Sequence, residues 1–214
     1  MTTSTRTASL TTVALEVPDV AAADRFCTAF GVSSLVSLRP LGESAAGSSG
    51  FRGFTLALTV AGPATVNRFL DAAVQAGATV LKPGSKSLWG YGGVVQAPDG
   101  AIWKVATSAK KDTGPATSEI DDFVVLLGVD DVKASKQYYA DRGLQVARSF
   151  GGKYAEFAVH GSSRAKLALY KRTGLAKDLG TSPEGSGSHR LVLGGTLGDF
   201  TDPDGFTWTS APAQ

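Results

Sequence analysis

The feature that most limits what this chain can fold into is an internal repeat. Pro98-Asp-Gly-Ala-Ile-Trp103 recurs as Pro203-Asp-Gly-Phe-Thr-Trp208, an offset of 105 residues. Val17-Pro-Asp-Val20 recurs as Val129-Asp-Asp-Val132 at an offset of 112, which also places Phe26 on Tyr138, Gly31 on Gly143 and Val32 on Leu144. The two matches keep their order, so one structural unit of about 100 residues is used twice. The offsets differ by 7, so the second repeat carries a net deletion. The join, Ser108–Ser118, is polar, contains Gly114-Pro115 and has no apolar period, which reads as a linker. The expected division is a first domain over 8–108, a linker over 109–118 and a second domain over 119–212.

Both repeats open alike. Val13, Leu15 and Val17 alternate with Thr12, Ala14 and Glu16, the pattern of a half-buried strand. Asp19 is placed to cap a helix whose stripe is Val20, Ala23, Phe26, Cys27 and Phe30, and Gly31 is placed to stop it. A strand over Ser34–Leu38 follows. In the second repeat the strand is Phe123–Val129, and a helix over Asp131–Arg142 stops at Gly143. The first repeat continues with a strand, Phe54–Val60. Pro63 then starts a second helix with the stripe Val66, Phe69, Leu70, Ala73 and Val74. Strands near Ala78–Leu81, Gly93–Ala97 and Ile102–Thr107 complete it. The second repeat has a hairpin, Tyr154–Val159 and Lys166–Tyr170, turning near His160-Gly161-Ser162-Ser163. A Gly/Ser-rich connection over Leu175–Ser188 leads to a strand at His189–Leu193, with no second helix. The expectation is an α+β protein whose second domain is shortened by one helix.

Composition removes several classes of function. The 21 basic and 19 acidic residues leave a net charge of +2, and the largest basic cluster is a pair such as Lys110-Lys111. Neither a nucleic acid nor a membrane surface is an expected partner. The run Phe123–Leu127 is far short of the ~20 apolar residues of a membrane span. The single cysteine, Cys27, allows no internal disulfide and no all-cysteine metal site. With a Thr/Ser-rich start at Met1–Ser9 that is no secretory signal, this predicts a cytoplasmic protein.

The strand-helix-strand repeats, each ending in a Pro-Asp-Gly-x-x-Trp hairpin, resemble the vicinal oxygen chelate superfamily. That group includes glyoxalase I, extradiol dioxygenases and the bleomycin-resistance proteins. The matching text is Ser87–Val105 in the first repeat, and Gly187–Leu193 with Phe200–Trp208 in the second. The resemblance covers nearly the whole chain and is closest to two-domain glyoxalase-like proteins. It implies βαβββ modules whose mixed sheets curl around a cleft, with helices on the outer face. It also implies an internal pseudo-dimer, and leaves a homodimer open.

Metal-using members of that superfamily carry a ligand on the first and last strand of each module. The corresponding positions here are Thr12, Thr55, Lys104, Val124, Ala168, His189 and Thr209, of which His189 alone is a competent ligand. No metal and no other cofactor is expected. The reading is a binder of a small organic molecule, a drug or secondary metabolite, acting by sequestration as bleomycin-resistance proteins do in antibiotic resistance. The alternative is a lyase or isomerase in the same cleft, with or without a divalent metal; a third reading is a non-catalytic interaction protein whose cleft has lost any ligand, which a shallow or side-chain-filled cleft would favour. His189 and Glu156 are the candidate catalytic groups. His189 is otherwise a strand residue on a relict ligand position, and Glu156 a cross-strand partner of Arg164 or Lys166. Trp89 and Tyr91, beside flexible glycines, are candidate stacking residues for a flat ligand, or else close a loop over the sheet edge. Glu16, Lys104, Tyr154 and Thr209 complete the candidate ligand-binding set, with Thr209 expected near His189. Trp103 and Trp208 alternate onto the helix-covered face and are expected in the core, as is Cys27.

Overall fold

A computed structural model describes residues 8–42, 47–161 and 163–210. Most of Met1–Ser9, the end of the second domain beyond Ser210, and Ser162 in the expected hairpin turn lie outside the described residues. The local signals at the repeat starts act as expected. Strand β1 is Leu10–Val17, and helix α1 is Val20–Phe30. The Asp19 carboxylate accepts the Ala22 N–H at 2.9 Å, and Gly31 takes the left-handed conformation (φ 86°) that a Cβ disfavours. Strand β2 is Ser37–Pro40, three residues later than its expected start. A two-residue strand β3, Ser49–Gly50, precedes β4 at Phe54–Thr59.

Helix α2 is Pro63–Gln75, followed by β5 (Thr79–Ser87), β6 (Gly90–Gln96), β7 (Ile102–Thr107) and β8 (Asp122–Val129). Helix α3, Val132–Asp141, is capped by Asp131, which accepts from Lys133 N at 2.8 Å and Ala134 N at 3.1 Å. These bonds hold the Asp131 carboxyl below its ordinary value. The chain continues through β9 (Val146–Phe150), β10 (Tyr154–Phe157), β11 (Ala165–Lys171), helix α4 (Arg172–Leu179), β12 (Gly185–Ser186), β13 (Leu191–Gly195), β14 (Phe200–Thr201) and β15 (Thr207–Ser210).

Two of these elements correct the sequence reading. Helix α4 occupies part of the expected irregular connection. Its apolar set is only Leu175, Ala176 and Leu179, and Gly174 interrupts its first turn, so its period is too short to register. Eight residues make a marginal helix alone, and burial of that face stabilises it. The glycine is required, because a Cβ at Gly174 would lie 2.8 Å from the Tyr170 ring. Strand β13 begins at Leu191, so His189 precedes the strand. The expected absence of a helix between β13 and β15 holds.

The large sheet has the order β5-β6-β7-β4-β8-β11-β10-β9. Its halves are complete βαβββ modules, with β4 parallel to β7 in one and β8 parallel to β11 in the other. They meet at an antiparallel seam that pairs Phe54 with Leu127, Leu56 with Val125 and Leu58 with Phe123. The small sheet has the order β14-β15-β13-β1-β2, with its own antiparallel seam pairing Val13 with Leu193. Strands of both repeats therefore build each sheet. The 109–118 segment is a chain connection, and no boundary between sheets falls there.

One apolar core joins the sheets and three of the helices. It includes Val13, Leu15 and Leu193 from the small sheet, Leu56, Leu58, Val125 and Leu127 from the large one, and Phe26, Phe30, Val66, Phe69 and Tyr139 from α1, α2 and α3. Trp103 and Trp208 are each 1% exposed within it. Full burial of each such leucine contributes at most ~1.5–3 kcal/mol. The core consumes one face of the large sheet and leaves the other for a site.

Candidate functional site

Residues alternate across a strand, so the core-facing positions of the large sheet fix the opposite set. That free face carries Val94, Ile102, Lys104, Thr55, Ala57, Val124, Leu126, Lys166, Ala168, Tyr170, Tyr154 and Glu156. It is the face the resemblance assigns to a cleft, and α4 lies across one end of it. Leu175, Ala176 and Leu179 are buried there against Phe51, Val94 and Ile102, with Leu81, Leu126 and Tyr170 at the margin. The helix is tied down at its C-terminus. The Lys82 ammonium donates to the carbonyls of Lys177 at 3.0 Å and Asp178 at 2.5 Å, where the helix dipole favours a cation. The Lys104 ammonium donates to the Asp178 carboxylate at 2.5 Å.

The ligand positions on this face carry no free donor suited to a divalent cation. Thr55 is fully buried, and its hydroxyl donates to the Ile102 carbonyl at 2.9 Å. Ala168 is fully buried and Val124 is half-buried. Lys104, Ala57, Val124 and Lys166 share one row across four strands. Each end of that row is an ion pair, Lys104 with Asp178 and Lys166 with Asp122 at 2.6 Å. Among the described residues, no three His, Cys, Asp or Glu side chains converge in a way that could hold a metal ion.

His189 is engaged on both ring nitrogens. Nδ1 lies 2.5 Å from the Arg52 carbonyl and Nε2 lies 2.9 Å from the Asp204 carbonyl, while the ring stacks on Phe206 at 3.9 Å. Neither nitrogen is free to take a proton from a ligand or to bind a metal while these contacts hold. In these contacts the ring bridges the backbones of Arg52 and Asp204. The Arg52 guanidinium makes the matching contact in the first repeat, donating to the Asp99 carbonyl. Both Pro-Asp-Gly turns are thus held through the carbonyl of their aspartate. Thr209 is not beside His189. It pairs with Gly194 within β13, whereas His189 precedes that strand.

Among the described residues Glu156 makes neither expected ion pair, and Lys166 is held by Asp122 instead. Instead the Tyr154 hydroxyl donates to its Oε2 at 2.7 Å. Burial first, and then this carboxylate, push the Tyr154 phenol above its ordinary value. Tyr170 stands edge-on to Tyr154 with ring centroids 6.2 Å apart. Glu16 is half-buried on the small sheet, in register with Arg39, and its N–H donates at 3.0 Å to the carbonyl of Arg190, the residue after His189.

Trp89 sits in the Leu88-Trp89 turn between β5 and β6 and is 84% exposed. Tyr91 does not stack in the cleft. Its side chain faces α2, where the hydroxyl donates to Asn67 Oδ1 at 2.8 Å. Trp89, Tyr91 and Lys104 nonetheless border one pocket of about 260 Å³, with Lys82, Gly92, Val94, Ala106 and Asp178. Lys82 and Asp178 were not foreseen. Lys82 reads as an ordinary strand residue, and Asp178 lies on the helix whose period was too short to see.

No family model and no curated protein matches the sequence. Solved structures do match. Glyoxalase I from Zea mays is 14% identical, with a TM-score of 0.56 over 94% of this chain and 91% of that one. A mutant of the same enzyme is 13% identical, with a TM-score of 0.56 over 94% and 92%. At this identity the likeness is one of fold. Paired modules, antiparallel seams and an overlap spanning nearly the whole chain give this chain a fold like that of glyoxalase I.

Proposed function

We propose that the protein binds a small organic molecule on the free face of its large sheet, without a metal and without turnover. The observation that carries this reading is α4. It packs Leu175, Ala176 and Leu179 over Val94 and Ile102 and, through Asp178, forms one wall of a pocket with Lys82 and Lys104. The four superfamily ligand positions on this face, Thr55, Lys104, Val124 and Ala168, do not fit a divalent cation. One is a spent hydroxyl, one an ammonium, and two are apolar. The space beside the helix is about 260 Å³, below the ~300–1,000 Å³ of sites for drug-sized molecules. This favours a ligand smaller than the drug or secondary metabolite first expected. The test is to offer Zn, Ni, Mn and Fe(II) to purified protein, then measure bound metal per chain and glyoxalase turnover. The reading expects neither above background. One tightly bound metal per chain, or turnover with any of the metals, would overturn it.

A second reading, a lyase or isomerase, has one observation in its favour. Tyr154 and Glu156 form a hydrogen-bonded pair on the part of the face that α4 leaves uncovered. Turnover of any carbonyl substrate that disappears in Glu156→Gln would select it.

A further inference from the structure

The pocket beside α4 has a chemical character that narrows its ligand. Its floor is flat. Gly92 pairs with Ala106 across β6 and β7, and a Cβ at Gly92 would fall 3.1 Å from the Ala106 methyl and 2.9 Å from the Val105 carbonyl. No side chain larger than that methyl rises from the floor at this step. Its charge is positive, with the ammonium groups of Lys82 and Lys104 against the one carboxylate of Asp178. Lys104 spends one N–H on Asp178 and sits about one-third exposed at the pocket wall, so it can donate to a further anion. Trp89 borders the same pocket and is the most exposed large apolar side chain among the described residues. Its backbone is pinned. The Trp89 N–H donates to Ser87 Oγ at 3.2 Å, and Gly90 (φ 135°) packs so closely on Thr107 that a Cβ would collide with the Thr107 carbonyl. Its indole is not pinned. An exposed indole is a large apolar surface with nothing to cover, and a planar ring between it and the Gly92–Ala106 floor would bury both.

We infer that this pocket takes a flat aromatic monoanion of one or two rings, its carboxylate on Lys104 and its ring closed over by Trp89. The inference rests on the small-molecule reading above and names the ligand class for it. Trp103 and Trp208 are buried, so acrylamide quenching of the protein's fluorescence reports Trp89.

Three probes separate the requirements: cinnamate, its neutral amide, and 3-cyclohexylpropanoate, which keeps the charge and loses the plane. Cinnamate is expected to lower the quenching constant of Trp89 at least twofold and to raise the melting temperature. The other two are expected to bind at least tenfold more weakly. Lys104→Gln should erase the preference for cinnamate over its amide, and Trp89→Leu should weaken cinnamate at least tenfold by calorimetry. Equal binding of the amide, or no effect of cinnamate on Trp89, would overturn the inference. Cinnamate that stabilises Trp89→Leu as much as the parent protein would also overturn it, by placing the ligand elsewhere while leaving the binding reading intact. Shielding of Trp89 that rises with protein concentration in the absence of probe would overturn it in favour of self-association.

Discussion

The large and small sheets are built from the same module and have diverged in opposite ways. Both halves of the large sheet keep a helix and a full hairpin. In the small sheet, β1-α1-β2 keeps its helix and has lost the hairpin, while β13-β14-β15 keeps a hairpin and has lost the helix. The losses are tolerated because the neighbouring modules cover the gaps. Tyr139 of α3 packs on Trp208 with centroids 5.7 Å apart, and its hydroxyl accepts the Trp208 indole N–H at 3.1 Å. The same hydroxyl donates to the buried Asp202 carboxylate at 2.5 Å. A helix of the large sheet thus roofs the strand that has none. The large sheet shows the reverse case. Its modules are intact, yet an added helix, α4, covers part of its free face. A complete module therefore does not by itself mean an open site.

The largest expected effect tests the roofing of the small sheet. Trp208→Ala should cost about 3–5 kcal/mol, from the cavity and from loss of the indole N–H that the buried Tyr139 hydroxyl accepts, measured by chemical denaturation. A loss under about 1 kcal/mol would mean that α3 does not hold the small sheet. Leu179→Ala is expected to cost less, about 2 kcal/mol. That is the low end for a buried leucine, because α4 can lift from the face while the sheet stays folded. A cost equal to that of Trp208→Ala would make α4 part of the global core and blur the contrast.

The smallest effect concerns Cys27 on α1. Burial first, and then Asp99 and Asp24, push its thiol up to about 12. The folded state therefore favours the neutral thiol. The stability this contributes is complete below the ordinary thiol range near ~8.5 and is lost as pH rises toward 12. At pH 8 the native protein should resist alkylation, and labelling should appear only with unfolding. Rapid labelling of folded protein would mean that the α1 face is looser than the packing implies.

Local chemistry explains what the sequence revealed. Asp19, Gly31 and Asp131 act on their own neighbours, and the alternation in β1 and β8 reports which face is buried, so these elements and the burial of both repeat tryptophans could be read directly. The fold class followed from the resemblance that the repeated strand-helix-strand and Pro-Asp-Gly pattern carries. What could not be read depends on distant parts of the chain. The seams join Val13 to Leu193 and Phe54 to Leu127, pairings that no local pattern encodes. His189 looked available because its partners are backbone carbonyls of Arg52 and Asp204, which every residue carries. Tyr91 looked like a cleft aromatic, but the parity of β6 turns it toward Asn67. Helix α4 is held by Phe51, Val94 and Ile102, so its reason for being helical lies outside its own sequence.

The account turns on α4 being seated on the large sheet in solution. Amide hydrogen exchange across residues 172–179 measures that directly. The seated helix predicts protection of Leu175, Ala176 and Leu179 within about tenfold of the β4 and β8 seam amides. Exchange as fast as in the exposed Gly151–Gly152 turn would contradict it. The face would then be open, and the case against catalysis there would fall.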